Sequence, residues 1–266
     1  MKLIASLMTG FLLITGVAQS HEFWVEPDKF MAAEGDQVTL DLRVGQLLSG
    51  ASYPFFSRKF VRYDITVSGE TMPLDGREGD TPSATFIADR EGLNVISYHA
   101  LPESLTYEAF SDFVEFVEDE GLAQVVDQHR ERGLPDVGFT EGYSRNSKAL
   151  VQIGPVKNGQ NDEFTGMPHE LVAMSNPYAG QDTLQVKLLW QGEPVPNTQV
   201  AIFHRAADGV VSRALTRTDG AGIAAIPTAN AGFYMLSSVR LDERDADSGE
   251  VWHSTWAALS FGVLLD

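Results

Sequence analysis

The 266-residue chain has no cysteine, and it is poor in basic residues, with 19 Lys and Arg against 37 Asp and Glu. Without cysteine an exported protein has no disulfides, so a small disulfide-stapled scaffold is excluded. Thiolate metal sites, thiol nucleophiles and iron–sulfur clusters are excluded with it. The formal charge of −18 is spread along the chain and repels nucleic acid and anionic membrane, so neither is an expected partner. No apolar run reaches the ~20 residues that a spanning helix needs. Enzyme signatures are missing too: there is no G-x-S-x-G, no Walker A, no GxGxxG and no H-E-x-x-H. No Ser/His/Asp set or carboxylate pair stands out. A non-catalytic protein is expected.

What is present begins at the N-terminus. Lys2 supplies one positive charge, an apolar run extends from Leu3 to about Val17, and Ala18-Gln19-Ser20 places small residues where a signal peptidase reads. This order predicts a cleavable signal peptide over residues 1–20, a mature start at His21 and a periplasmic location. No cysteine at the cleavage site offers a lipid anchor. An apolar content of 43% with 15 Phe provides for a real core.

The rest reads as mainly β. In Gln37–Val44 the apolar residues Val38, Leu40 and Leu42 alternate, and Glu22–Val25, Phe60–Val67, Thr85–Ile87 and Leu93–Tyr98 form similar runs between turn residues. The period then changes. Tyr107, Phe110, Phe113, Val114 and Val117 fall at helical spacing, with Ser104 or Thr106 to cap the helix and Gly121 to end it. A second short helix is expected over about 122–132 and a strand over Ser147–Ile153. Residues 154–168 have linker composition, which predicts an N-terminal β-sandwich domain with a helical insertion (21–155) and a C-terminal domain (168–266). About seven short strands in that second half, with the hairpin signal Asp208-Gly209, indicate an immunoglobulin-like sandwich.

The six histidines are the candidate soft ligands, and none forms a close pair. Cleavage after Ser20 would give His21 a free α-amine, with a pKa near ~8, beside its own imidazole. Amine and imidazole close a compact chelate suited to Ni²⁺, Co²⁺ or Cu²⁺. His99 and His253 lie in expected strands and are the candidate partners. His129 is expected on a solvated helix face and His204 at an exposed hairpin, while His169 follows the linker. The acidic loop Asp242–Glu250 lacks the EF-hand spacing, and solvation explains its charge.

The start His21-Glu22-Phe23-Trp24-Val25-Glu26-Pro27, with Leu42–Gln46, Tyr107–Phe110, Glu120–Leu122, Tyr143–Leu150 and Trp256–Phe261, resembles a domain-of-unknown-function family linked to periplasmic components of cobalt and nickel transport (NikM-like or CbiK-like). The resemblance spans essentially the whole mature chain. It implies a periplasmic, non-catalytic protein of Ni²⁺ or Co²⁺ uptake that binds the ion or hands it to a membrane transporter. NikM-like subunits have transmembrane helices that this chain lacks, so a direct channel role is not expected. The alternatives are a metal-free β-sandwich interaction or assembly module of the cell envelope, and a copper-dependent oxidative enzyme with an N-terminal His.

Overall fold

The computed structural model describes residues 21–264; the expected signal peptide, residues 1–20, lies outside them. The N-terminal strands are β1 (Glu22–Pro27), β2 (Met31–Ala32), β3 (Gln37–Gln46), β4 (Ser49–Tyr53), β5 (Phe60–Val67), β6 (Glu70–Pro73), β7 (Ala84–Ile87), β8 (Gly92–Ala100) and β9 (Glu103–Tyr107). Helices α1 (Phe110–Asp119) and α2 (Gln124–Glu131) follow, then β10 (Phe139–Ile153) and β11 (His169–Ala173). The remaining strands are β12 (Thr183–Trp190), β13 (Glu193–Pro194), β14 (Gln199–Arg205), β15 (Val211–Arg217), β16 (Ile223–Pro227), β17 (Gly232–Glu243) and β18 (Trp252–Val263).

One ten-stranded sheet runs through the molecule in the order β15-β14-β17-β18-β10-β8-β5-β6, with β2 and β9 also on β10. Its central pair, β10 and β18, is parallel over Glu141↔Trp252 to Ala149↔Ser260. A smaller sheet, β1-β3-β4 with β7, covers one face at the N-terminal end. Another, β11-β12-β13 with β16, covers the opposite face at the C-terminal end. Side chains alternate across the central sheet, so each strand feeds both cores. Ala149, Val151, Ile153, Ile96 and Tyr98 join Val38, Leu40 and Leu42 in the first core. Leu150, Val95, Ala257 and Leu259 join Leu184, Val186 and Leu188 in the second.

The protein is therefore mainly β, with two β-sandwiches, the C-terminal one immunoglobulin-like. Strands on either side of residues 154–168 share one sheet. The unbroken burial of β18 follows from this position: it is covered on both faces, so its residues, the polar His253, Ser254, Thr255 and Ser260 among them, are buried without alternation.

Two local expectations are corrected. Ser104 and Thr106 lie in β9 and cap nothing; α1 starts three residues later than its period suggests, behind Ala109 with no side-chain cap. β10 begins at Phe139 rather than Ser147, because its polar first half is paired with β9 and β18. Gly121 does end α1, at a φ of 71°. The helices bury Phe113, Phe116, Val117 and Val125 against Tyr107, Phe139, Trp252 and Trp256. Neither is long and apolar enough to cross a membrane.

Candidate functional site

The first described residues are held firmly. β1 pairs with β3 from Glu22↔Gly45 to Pro27↔Leu40, and Trp24 is fully buried, its indole donating to Glu26 Oε2 at 2.7 Å. Ser147 Oγ accepts from the Val25 N–H at 3.0 Å, tying β1 to β10. Arg145 donates to the His21 carbonyl at 3.4 Å, and its guanidinium stacks on the Tyr143 ring, 4.4 Å from the centroid. His21 itself is half-buried.

Beside it Glu22 is only 9% exposed, and its Oε2 has no hydrogen-bond partner among the described residues. Burial pushes this carboxyl up to about 7, with Arg213 opposing and Asp119 adding to the shift. Glu120, at the end of α1, is pushed up to about 8, first by burial and then by repulsion from Glu22 and Asp119. Arg213 of β15 counters both carboxyls and donates to the Asp119 carbonyl at 2.9 Å. Arg213 thus ties the β14–β15 hairpin to the end of α1, and the Glu22 and Glu120 carboxyls both feel its charge.

The sheet separates the three histidines singled out from sequence. Arg145 and Ser147 reach β1 from one face of β10. Ser144, which meets His253, projects from the other by alternation. His253 shares its face with Ala257, and His99 shares one with Val95, both on the side of the second core. His99, opposite Arg62, is held below the usual imidazole range by burial and by that guanidinium. Neither histidine is placed to complete a site at His21. Among the described residues no three His, Asp or Glu side chains are grouped to hold a metal ion.

The other histidines are likewise tied up. His129, expected in solvent, is fully buried: it accepts from the Trp252 indole at 3.0 Å and contacts the Pro135 carbonyl at 3.0 Å. Its helix face looked polar because Arg130 and Arg132 flank it, yet α2 turns the ring onto Phe110, Phe113 and Phe139. His169 is buried against the Thr255 carbonyl at 2.9 Å, and burial pushes it down to about 4. His204 is partly buried, bonded to the Ala231 carbonyl at 3.0 Å and packed on Tyr234.

A second arrangement has no counterpart in the sequence reading. Ser144 Oγ lies 2.9 Å from His253 Nε2, and His253 Nδ1 lies 3.1 Å from Glu250 Oε1. Ser144 and Glu250 are partly exposed and His253 is buried. No local motif joins positions 144, 250 and 253, which come together only through the β10–β18 register. The small hint is Gly142, opposite His253: a Cβ there would stand 1.5 Å from Glu250 Oε2 and 2.6 Å from His253 Nδ1.

The sequence model of a family described as a domain of unknown function, DUF4198, matches residues 18–242. The chain belongs to the DUF4198 family. No curated protein matches this DUF4198 chain. Among solved structures it is similar to the D0–D1 domain of intimin, at 15% identity over 91% of this chain and 98% of that one, with a TM-score of 0.23. It is also similar to a DUF4785 family protein from Legionella pneumophila, at 10% identity over 80% of this chain and 51% of that one, with a TM-score of 0.24. A tetra-tandem repeat from the extending region of a large adhesion protein gives 11% identity, coverage of 92% and 49%, and a TM-score of 0.22. The chain spans about half the length of the last two.

Proposed function

We propose that this DUF4198 protein, exported and cleaved after Ser20, binds a divalent transition metal ion in the periplasm, Ni²⁺ or Co²⁺ as cargo, through the amine and imidazole of His21. The observation that carries this reading is the buried carboxyl of Glu22, with one oxygen unpartnered among the described residues, next to a His21 whose carbonyl accepts from Arg145. A chelate held at one place loses less entropy on binding than one on a free chain end. Once deprotonated, the carboxyls of Glu22 and Glu120 supply negative charge that Arg213 alone does not balance. Because Glu22 and the amine must both be deprotonated, binding releases protons and strengthens as pH rises from 6 to 8. Delivery to a membrane transporter is the corresponding role in uptake.

Calorimetric titration of protein starting at His21 with Ni²⁺, Co²⁺ and Cu²⁺ tests this. Adding one residue before His21 removes the amine from the chelate and is expected to weaken binding at least about tenfold; equal affinity refutes the site. A second reading, a metal-free interaction module of the envelope, is favoured by β15, an edge strand of the central sheet that leaves Leu215 54% exposed, with Val210 64% exposed just before it. In that case none of the three ions changes the melting temperature.

A further inference from the structure

We propose that Ser144, His253 and Glu250 form a nucleophilic triad that hydrolyses short-chain carboxylic esters. The two contacts described above are in the order that nucleophilic catalysis requires: a hydroxyl on one ring nitrogen and a carboxylate on the other. With Nδ1–H donated to Glu250, Nε2 is left to accept from the Ser144 hydroxyl. Three elements fix the geometry. Ser144 and His253 stand on adjacent, centrally placed strands, with Ser144 paired to Thr255 and Gly142 to His253. Glu250 precedes β18 in a tight loop, where Ser248 Oγ donates to its carbonyl at 2.7 Å and Arg244 lies 3.4 Å from its carboxylate. Gly142 leaves open the space that carboxylate and imidazole occupy; any side chain there would displace both.

The surroundings indicate the substrate class. On the same face Ser144 neighbours Asn146 and Thr255, while Arg240 and Asp242 stand opposite Thr255 and His253 on β17. Arg240 is braced by Asp242, at 3.0 Å and 2.6 Å, and by the Trp190 ring. It places a positive charge on the face where a tetrahedral oxyanion would develop. Polar neighbours suit a short acyl group on a polar carrier rather than a fatty chain.

In the reaction Ser144 Oγ bonds to the acyl carbon while its proton passes to His253 Nε2. The carbon–oxygen bond to the leaving alcohol breaks, and that alcohol takes the proton. Water, deprotonated by the same nitrogen, then cleaves the Ser144 ester, releasing the carboxylic acid and restoring the hydroxyl. Neither step needs a metal or a redox partner, so the activity stands apart from ion binding at His21.

The test uses protein starting at His21, 4-nitrophenyl acetate as substrate and a fluorophosphonate as covalent label. The expected results are a fluorophosphonate adduct located on Ser144 by peptide mass spectrometry, and turnover that Ser144→Ala lowers to the buffer rate. Glu250→Gln should cost at least about tenfold in kcat, since it loosens the imidazole without removing it. Ser144→Ala removes one oxygen from a paired strand and is checked by an unchanged melting curve. Wild-type turnover no faster than that of Ser144→Ala, or an adduct on another residue only, overturns the proposal. Turnover unaffected by EDTA separates this activity from the metal reading.

Discussion

Glu141 is 1% exposed and accepts hydrogen bonds from Tyr107 Oη at 2.8 Å and Ser254 Oγ at 2.5 Å. Burial outweighs these two donors and pushes the carboxyl from its usual 4.5 up to about 7. The folded state therefore keeps the proton to a higher pH than the unfolded chain does. Stability is full below about pH 4.5 and is lost as pH rises toward and through 7, the gap amounting to about 3 kcal/mol. Glu141→Gln replaces the titrating group by a neutral amide of the same shape. Its oxygen serves one hydroxyl and its NH₂ faces the other, a mismatch worth about 1 kcal/mol. At pH 5 wild type has already lost about 0.8 kcal/mol of the gap, so the two proteins should be close to equally stable, and at pH 9 the variant should be more stable by about 2 kcal/mol. Urea unfolding at pH 5, 7 and 9 measures this crossing, and melting temperatures should follow at about 2–4 °C per kcal/mol for a chain of this size. A difference between the two proteins that is constant from pH 5 to 9 would refute the reasoning, because it would mean that Glu141 stays charged in the folded state throughout.

Lys148 is fully buried, with its ammonium 2.6 Å from Asp162 and 3.0 Å from Glu170, and donates to the Glu163 carbonyl at 3.0 Å. Lys148→Met should cost about 3–5 kcal/mol in urea unfolding, because two buried carboxylates lose their counter-charge; adding Asp162→Asn and Glu170→Gln should recover much of it. Glu120, pushed up to about 8, loses stability as pH rises toward that value. Glu120→Gln should thus raise stability at pH 9 by about 2 kcal/mol, after allowing for its partial exposure, and leave pH 5 nearly unchanged. A melting temperature that rises equally at both pH values would show that charge is not the cause.

The β class and the change to helical spacing near residue 110 were legible because they are local. Val38, Leu40 and Leu42 alternate, all three are fully buried, and a period of two has no other use in a half-buried strand. The polar half of β10 was not legible, since Glu141, Tyr143 and Ser144 carry no apolar pattern. Long-range partners decide that those residues form strand, as they decide the burial of His129 on a face of α2 that looks solvated in isolation. The site follows the same division. The sequence by itself determined that no thiol chemistry is available and that Glu22 adjoins His21, the residue offered as a candidate chelator. Only the tertiary structure decided that His99 and His253 lie across the sheet from β1, because strand alternation assigns faces only once register and layer are known. It alone set Ser144 against His253 and Glu250, by the parallel β10–β18 register that joins segments more than a hundred residues apart.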